Sequence, residues 1–224
     1  MFNEFLWFAM LITTYSFLII VSLFFKKNGL FAWIAVAIII ANIQVLKQIT
    51  IFGINATLGN IIYTSSYIAT DILSELYGEK TSKKAIYIGF ISLIVFAVLT
   101  NALIHFISNR TQENFKSLEH IFSSIPALLL ASLVAYLVSQ LSNVYLYQLT
   151  KKKFPKFLFF RTNGSTLISS LIDTIIFVGI ATYFKAFPKQ AFLDIAISKY
   201  PIKSLAGFLG TPFIYIAKYI KLQK

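Results

Sequence analysis

The chain alternates long apolar stretches with short polar breaks. A membrane-crossing helix needs about 20 mostly apolar residues. Seven stretches meet that length: residues 4–25, 30–51, 58–76, 85–107, 121–149, 166–184 and 195–220. The pattern predicts an all-α integral membrane protein, a polytopic bundle of about seven transmembrane helices. The third and seventh stretches are the most polar. The third carries Asn60, Thr64, Ser65, Ser66 and Thr70; the seventh has Lys199, Pro201 and Lys203 near its start and Pro212 inside. Residues 188–198 also read as an interfacial or external segment. The first stretch opens on Asn3 and Glu4, without a basic leader or a small-residue cleavage site, so it reads as a permanent helix with its N-terminus outside.

Basic residues occupy alternate breaks. Lys26, Lys27, Lys80, Lys83, Lys84, Lys151, Lys152, Lys153, Lys156 and Arg161 put ten on one side, against four on the other: Arg110, Lys116, Lys185 and Lys189. The Lys-rich side is expected in the cytoplasm. Seven spans then place the C-terminus there too, with Lys218, Lys221 and Lys224. Every connection is short, the longest running over residues 108–120. Function is therefore expected within the bundle or at its mouths.

Composition narrows the class. The chain is 58% hydrophobic and 12% charged, with a mean hydropathy of +0.77. A soluble domain carries about twice that charge, so soluble enzymes and disordered chains are excluded. No cysteine is present, hence no disulfide framework or thiolate chemistry. The net charge of +12 resides in the breaks, as the positive-inside bias requires, and does not point to nucleic acid.

Polar groups inside the apolar stretches carry the candidate chemistry, because ionisable residues are expensive in a bilayer. The second stretch turns polar at Asn42, Gln44, Lys47 and Gln48, the last three on one helical face. Lys47 reads either as part of a site or as reaching the outer interface. In the third, Tyr67 precedes Asp71 and Glu75, whose i, i+4 spacing puts both carboxylates on one face. They read as a binding face or as an acidic helix end meeting Lys80, Lys83 and Lys84. The fifth holds Tyr136, Gln140, Asn143 and Tyr147 in one stripe, suited to helix packing or to a flat heterocycle. The sixth holds Thr166, Ser169, Ser170 and Asp173. Asp173 has no cation near it in sequence, so its counter-charge is expected from Lys203 or Lys47. His105 and His120 stand alone, and no metal, cofactor or ATP-hydrolysis motif is present.

Several segments resemble the queuosine precursor transporter family, grouped with the vitamin uptake transporters. They are Ala41-Asn42-Ile43-Gln44-Val45-Leu46-Lys47, the Ser-Tyr-x-x-Thr-Asp-x-x-x-Glu-x-Tyr-Gly pattern of residues 66–78, and Gln140 with Asn143 leading into Tyr145-Leu146-Tyr147. Arg161-Thr162, Ser165-Thr166 with Ser169, Asp173 and Thr174, and Lys203 with Thr211-Pro212 and Tyr215 complete the set. The resemblance implies a bundle over residues 28–224 whose six-helix core is similar to the substrate-binding subunits of energy-coupling-factor transporters. Residues 1–27 then form an extra helix in front. It further implies uptake of 7-cyano-7-deazaguanine or a related 7-deazaguanine base across the cell (inner) membrane, without cofactor or dedicated ATPase. The implied substrate-binding residues are Asp173, Asp71, Glu75, Asn42, Gln44, Asn143, Gln140, Ser169, Lys203 and Tyr67. A deazaguanine presents an N–H and an amine side by side, which one carboxylate can accept bidentately. Its rings want aromatic faces. The carboxylates could also exchange protons.

Three other readings are open. An energy-coupling-factor subunit for another vitamin or nucleobase would need partner ATPases and small-residue packing motifs, for which Ala131 and Ala135 are the candidates. An intramembrane enzyme on lipid or isoprenoid substrates would show an acidic, Cys or His cluster. A purely structural membrane protein would not need so many intramembrane charges.

Overall fold

The computed structural model describes residues 2–103, 105–106, 125–185 and 192–222. Arg110, Lys116, His120, Lys189 and Lys224 lie outside them. Six helices are described: α1 (Phe2–Gln44), α2 (Asn60–Leu76), α3 (Glu79–Leu103), α4 (Ile125–Lys153), α5 (Leu158–Tyr183) and α6 (Phe192–Leu222). Among them α1, α3, α4 and α5 are long and apolar enough to cross a membrane.

The first two apolar stretches form two helices that abut at Lys26, together labelled α1; at Lys26 φ is 53° and ψ is −136°. Straight, its 43 residues would run about 65 Å at 1.5 Å per residue. Instead its ends meet. The Asn3 amide donates to Thr50 O at 3.1 Å, and the Phe52 N–H donates to Glu4 Oε1 at 3.2 Å, both just beyond the helix's far end. The break therefore reverses the chain. Gly29 allows it: a Cβ there would strike the Val21 carbonyl.

The second stretch does not stay helical to residue 51. The helix stops at Gln44, and Gln48–Ile51 (β1) pairs antiparallel with Ile54–Thr57 (β2) in the register Gln48↔Thr57 to Ile51↔Ile54. Phe52 and Gly53 form the turn, with φ of 52° and 74°. Positive φ at both central residues marks the tight hairpin turn that matches strand twist. The β-branched run Ile49-Thr50-Ile51 favours strand over helix, which hydrophobicity alone does not reveal. Lys47 and Gln48 are exposed outside the helix. They share no helical face with Gln44, and that expectation is corrected.

The other helices run close to expectation. α5 starts at Leu158 rather than residue 166, which brings Arg161 and Thr162 into the helix. α6 continues through Pro201 and Pro212 and starts at Phe192, so residues 192–198 are helical.

α2 is the axis of the bundle and packs against each of the other five helices. Fourteen of its residues are buried, among them Asn60, Thr64, Ser65, Ser66, Thr70, Asp71 and Ser74. The outward faces of its neighbours are apolar: Phe24 of α1, Leu99 of α3 and Ile175 of α5 are all exposed. Polar inside and apolar outside is the arrangement lipid demands. Close approaches lock α2 in place. A Cβ on Gly59 would lie 2.6 Å from the Ala41 carbonyl and 3.2 Å from the Val45 nitrogen. Backbone cannot yield as a side chain can, so Gly59→Ala should cost about 1–3 kcal/mol. Thermal unfolding of the purified chain in detergent checks this; an unchanged midpoint would show that α1 and α2 are free to separate.

Candidate functional site

The polar side chains of α2 lie in successive turns, and the hydroxyls of Thr64, Ser65, Ser66 and Thr70 bond back to their own helix. Thr64 donates to Asn60 O at 2.7 Å, Ser65 to Ile62 O at 2.6 Å and Ser66 to Tyr63 O at 2.6 Å. Partners from α4, α5 and α6 complete four layers along the bundle.

The layer nearest the hairpin centres on Asp173 of α5. Lys203 of α6 forms an ion pair with its Oδ2, and the Tyr63 hydroxyl donates to its Oδ1. Ser139 of α4 donates to the same Oδ1 at 3.3 Å. The Lys203 ammonium also lies 4.7 Å from the centroid of the Tyr63 ring, within cation–π range. Asp173 and Lys203 are 3% and 7% exposed, so the pair is effectively out of water. Of the two cations considered for Asp173, the structure selects Lys203. The pair sits at a cavity walled by Asn42, Asn60, Tyr63, Thr174 and Phe177, with Thr57 of β2 at the hairpin end.

The next layer is an amide–hydroxyl network. Gln140 Nε2 donates to Ser66 Oγ at 2.6 Å, and Thr70 Oγ1 donates to Gln140 Oε1 at 3.2 Å. Tyr67 stands edge-on to Tyr63, with ring centroids 5.6 Å apart. One turn further, Asn143 Nδ2 donates to Asp71 Oδ1 at 2.8 Å.

The last layer gathers around Glu75. Its Oε1 accepts from Arg161 Nη2 at 2.9 Å and Lys218 Nζ at 2.7 Å. Its Oε2 accepts from the Tyr147 hydroxyl at 2.9 Å and pairs with Lys151 at 3.2 Å. One carboxylate of α2 thus ties α4, α5 and α6 together. Arg161 donates through Nη1 to Pro155 O at 2.8 Å and stacks over Tyr147 at 5.7 Å. Glu79 instead meets Lys83 in an exposed i, i+4 pair at 2.6 Å, as an acidic helix end does.

The ten residues singled out in the sequence are therefore not one cluster. Asn42, Asp173 and Lys203 line the cavity. Tyr67, Gln140, Asn143 and Asp71 lie below it along α2, and Glu75 closes the far end. Ser169 is buried with its hydroxyl unpartnered, and Gln44 is half-buried at the end of α1, away from the cavity wall. The α4 stripe bonds along α2 except at Tyr136, whose hydroxyl donates to Ile86 O of α3 at 3.1 Å. Sequence reasoning missed Tyr63, Asn60, Ser139 and Thr162 as site residues. Asn60, Tyr63 and Tyr67 fall at i, i+3 and i+7 of one helical face, a signal that was available. Arg161 reads as a loop cation in the sequence because the apolar stretch begins at residue 166, eight residues after the helix does.

A family described as "Putative vitamin uptake transporter" matches residues 57–217. The "Probable queuosine precursor transporter" of Bacillus subtilis (strain 168) is 38% identical over 223 residues, covering 97% of this chain and 96% of that protein. The "Queuosine precursor transporter" of Escherichia coli (strain K12) is 23% identical over 171 residues, 75% of each chain. The "Probable queuosine precursor transporter" of Haemophilus influenzae is 25% identical over 140 residues, 62% of this chain and 57% of that protein. No solved structure matches the chain. With the family match running from β2 into α6 and one relative alike over nearly its full length, the chain belongs to the vitamin uptake transporter family that includes the queuosine precursor transporters; it is a multi-pass membrane protein and a transporter rather than an enzyme.

Proposed function

We propose that this chain imports queuosine precursors of the 7-deazaguanine type, 7-cyano-7-deazaguanine or a related base, and binds them in the cavity beside Asp173. One observation carries the reading: a buried carboxylate–ammonium pair faces a cavity walled by Tyr63, Phe177 and two asparagines. The partners of Asp173 are all donors: the Lys203 ammonium and the Tyr63 and Ser139 hydroxyls. An incoming base offers a replacement set, its ring N–H and amine aimed at the carboxylate. Lys203, released from Asp173, then serves the ring carbonyl oxygen. Asn42 and Asn60 are placed for the remaining edge, and Tyr63 and Phe177 for the ring faces. Desolvated charge on both partners makes the exchange selective, since a ligand lacking the donor pair would leave Asp173 unpaired.

The basic residues set the direction. Lys26, Lys27, Lys80, Lys83, Lys84 and residues 151–161 gather at the end away from the hairpin, the end that faces the cytoplasm by the positive-inside bias. Seven membrane crossings, two of them from α1, then put the N-terminus and the cavity mouth outside, with the Glu75 cluster sealing the inner end. A partner ATPase finds less support: Ala131 and Ala135 are buried against Val178 and Ala181 inside the bundle, where they offer no docking stripe.

The test is accumulation of labelled precursor by a transport-deficient host expressing only this chain, with reporter fusions after Lys84 and Lys153. Uptake with both reporters cytoplasmic is expected. Uptake that appears only when a foreign ATPase module is supplied would replace this reading with the energy-coupling-factor one.

A further inference from the structure

The corner between α4 and α5 carries a patch that substrate binding does not use. Over residues 152–160, Lys152, Lys153 and Lys156 interleave with Phe154, Phe157 and Phe160, and all six are exposed. Each of the three rings is at least half exposed, and Phe157 and Phe160 meet edge-on with centroids 6.1 Å apart. No acidic residue lies between residues 120 and 172 of the chain. Among the described residues, Glu75 takes Lys151 and Arg161, and no carboxylate pairs with the other three lysines.

The corner is held in shape. The Phe154 N–H donates to Thr150 O at 2.7 Å and the Phe157 N–H to Phe154 O at 3.2 Å. From inside, the buried Arg161 donates to Pro155 O at 2.8 Å and is itself fixed by Glu75. α5 begins here with no side-chain cap and no acid in its first turn, so the positive end of its dipole adds to the lysines. Another basic group at the same end of the bundle is built differently. Lys80, Lys83 and Lys84 open α3, where Glu79 stands in the first turn and pairs with Lys83 at 2.6 Å. No phenylalanine stands among them. The positive-inside bias accounts for lysines at this end. It does not account for unpaired lysines interleaved with exposed rings on a fixed turn.

We propose that the α4–α5 corner binds an anionic phospholipid, with Lys152, Lys153 and Lys156 on the phosphate-bearing headgroup and the phenylalanine rings among the first carbons of its chains. Clustered lysines beside a membrane helix attract anionic lipid, and apolar rings bury at the boundary between headgroup and chain. The binding face stands on these side chains alone, while the leaflet that supplies the lipid follows from the orientation proposed above.

The test uses the purified full chain, without substrate, in mixed micelles of detergent and phosphatidylcholine, with or without phosphatidylglycerol. The thermal midpoint is measured, and retained lipid is counted by native mass spectrometry. Phosphatidylglycerol should be retained and should raise the wild-type midpoint by about 5 °C. Lys152→Gln/Lys153→Gln/Lys156→Gln should lose most of both effects. Lys80→Gln/Lys84→Gln, which leaves the Glu79–Lys83 pair in place, should keep them. Phe157→Ser/Phe160→Ser should also weaken retention, and serves if the triple variant does not fold. Glycerol phosphate added to phosphatidylcholine micelles should not reproduce the rise, because it brings no chain for the rings. A wild-type midpoint indifferent to phosphatidylglycerol, an equal loss in the two lysine variants, or a full rise with glycerol phosphate overturns the site. Neither substrate nor sidedness enters this measurement, so its failure would leave the transport reading standing, and failure of uptake would leave the lipid site standing.

Discussion

Replacing Asp173 with Asn should destabilise the chain by about 3–5 kcal/mol, the cost of stranding one member of a buried ion pair. The stranded member is the Lys203 ammonium, 7% exposed and held otherwise only against the Tyr63 ring. A loss of uptake in the single variant would therefore mix folding with binding. The double variant Asp173→Asn/Lys203→Met separates them. It removes both charges and keeps similar volumes, so its unfolding midpoint should return close to wild type, as apolar replacements of buried pairs commonly do. Its uptake should not return, because the carboxylate that accepts the substrate's paired donors is gone. Recovery of both stability and uptake would make Asp173 and Lys203 a structural staple and nothing more.

The second large effect is expected at the other end of α2. Glu75→Gln leaves Arg161, Lys151 and Lys218 without their shared carboxylate. Lys151 and Lys218 have side chains 34% and 36% exposed and can turn to water. Arg161, 2% exposed, cannot. Its stranding sets the expected loss, again about 3–5 kcal/mol. Unfolding in detergent should show it, and Arg161→Met in the Glu75→Gln background should reverse most of it. Glu79→Gln, one turn away on an exposed pair, should leave stability unchanged. Equal effects at Glu75 and Glu79 would reduce the cluster to an ordinary acidic helix end.

These two residues show how far the sequence could be read. Asp173 was legible because a carboxylate deep in an apolar stretch without a local cation must find a partner, and the chain has few candidates. Choosing Lys203 over Lys47 required the chain path. Lys47 looked helical only because Ile49 and Ile51 extend an apolar run, and apolar runs do not separate a helix from a short hairpin; Gly53 and the β-branched cluster were the competing signal. Glu75 was readable as either a rim residue or a site residue. It is neither simply: it lies at the helix end, yet Arg161, reached from α5 86 positions away, keeps it from solvent. Asp71 and Glu75 share a face at i, i+4, as the spacing requires, but face different partners. Sequence spacing assigns a side of one helix, and the neighbours' packing decides what stands opposite. The Tyr136–Tyr147 stripe makes the same point. Its hydrogen bonds to Ile86, Ser66, Asp71 and Glu75 are helix–helix contacts, and the aromatic walls of the cavity are instead Tyr63 and Phe177, closer to the hairpin.

Equilibrium titration decides whether a 7-deazaguanine binds at the Asp173–Lys203 pair. Titration of 7-cyano-7-deazaguanine into the purified wild-type chain should give saturable binding. The folded Asp173→Asn/Lys203→Met variant should bind about a hundredfold more weakly, the equivalent of losing roughly 3 kcal/mol of charge-assisted hydrogen bonding. A folded double variant with an unchanged Kd, or a wild-type chain that binds no 7-deazaguanine, would contradict the account.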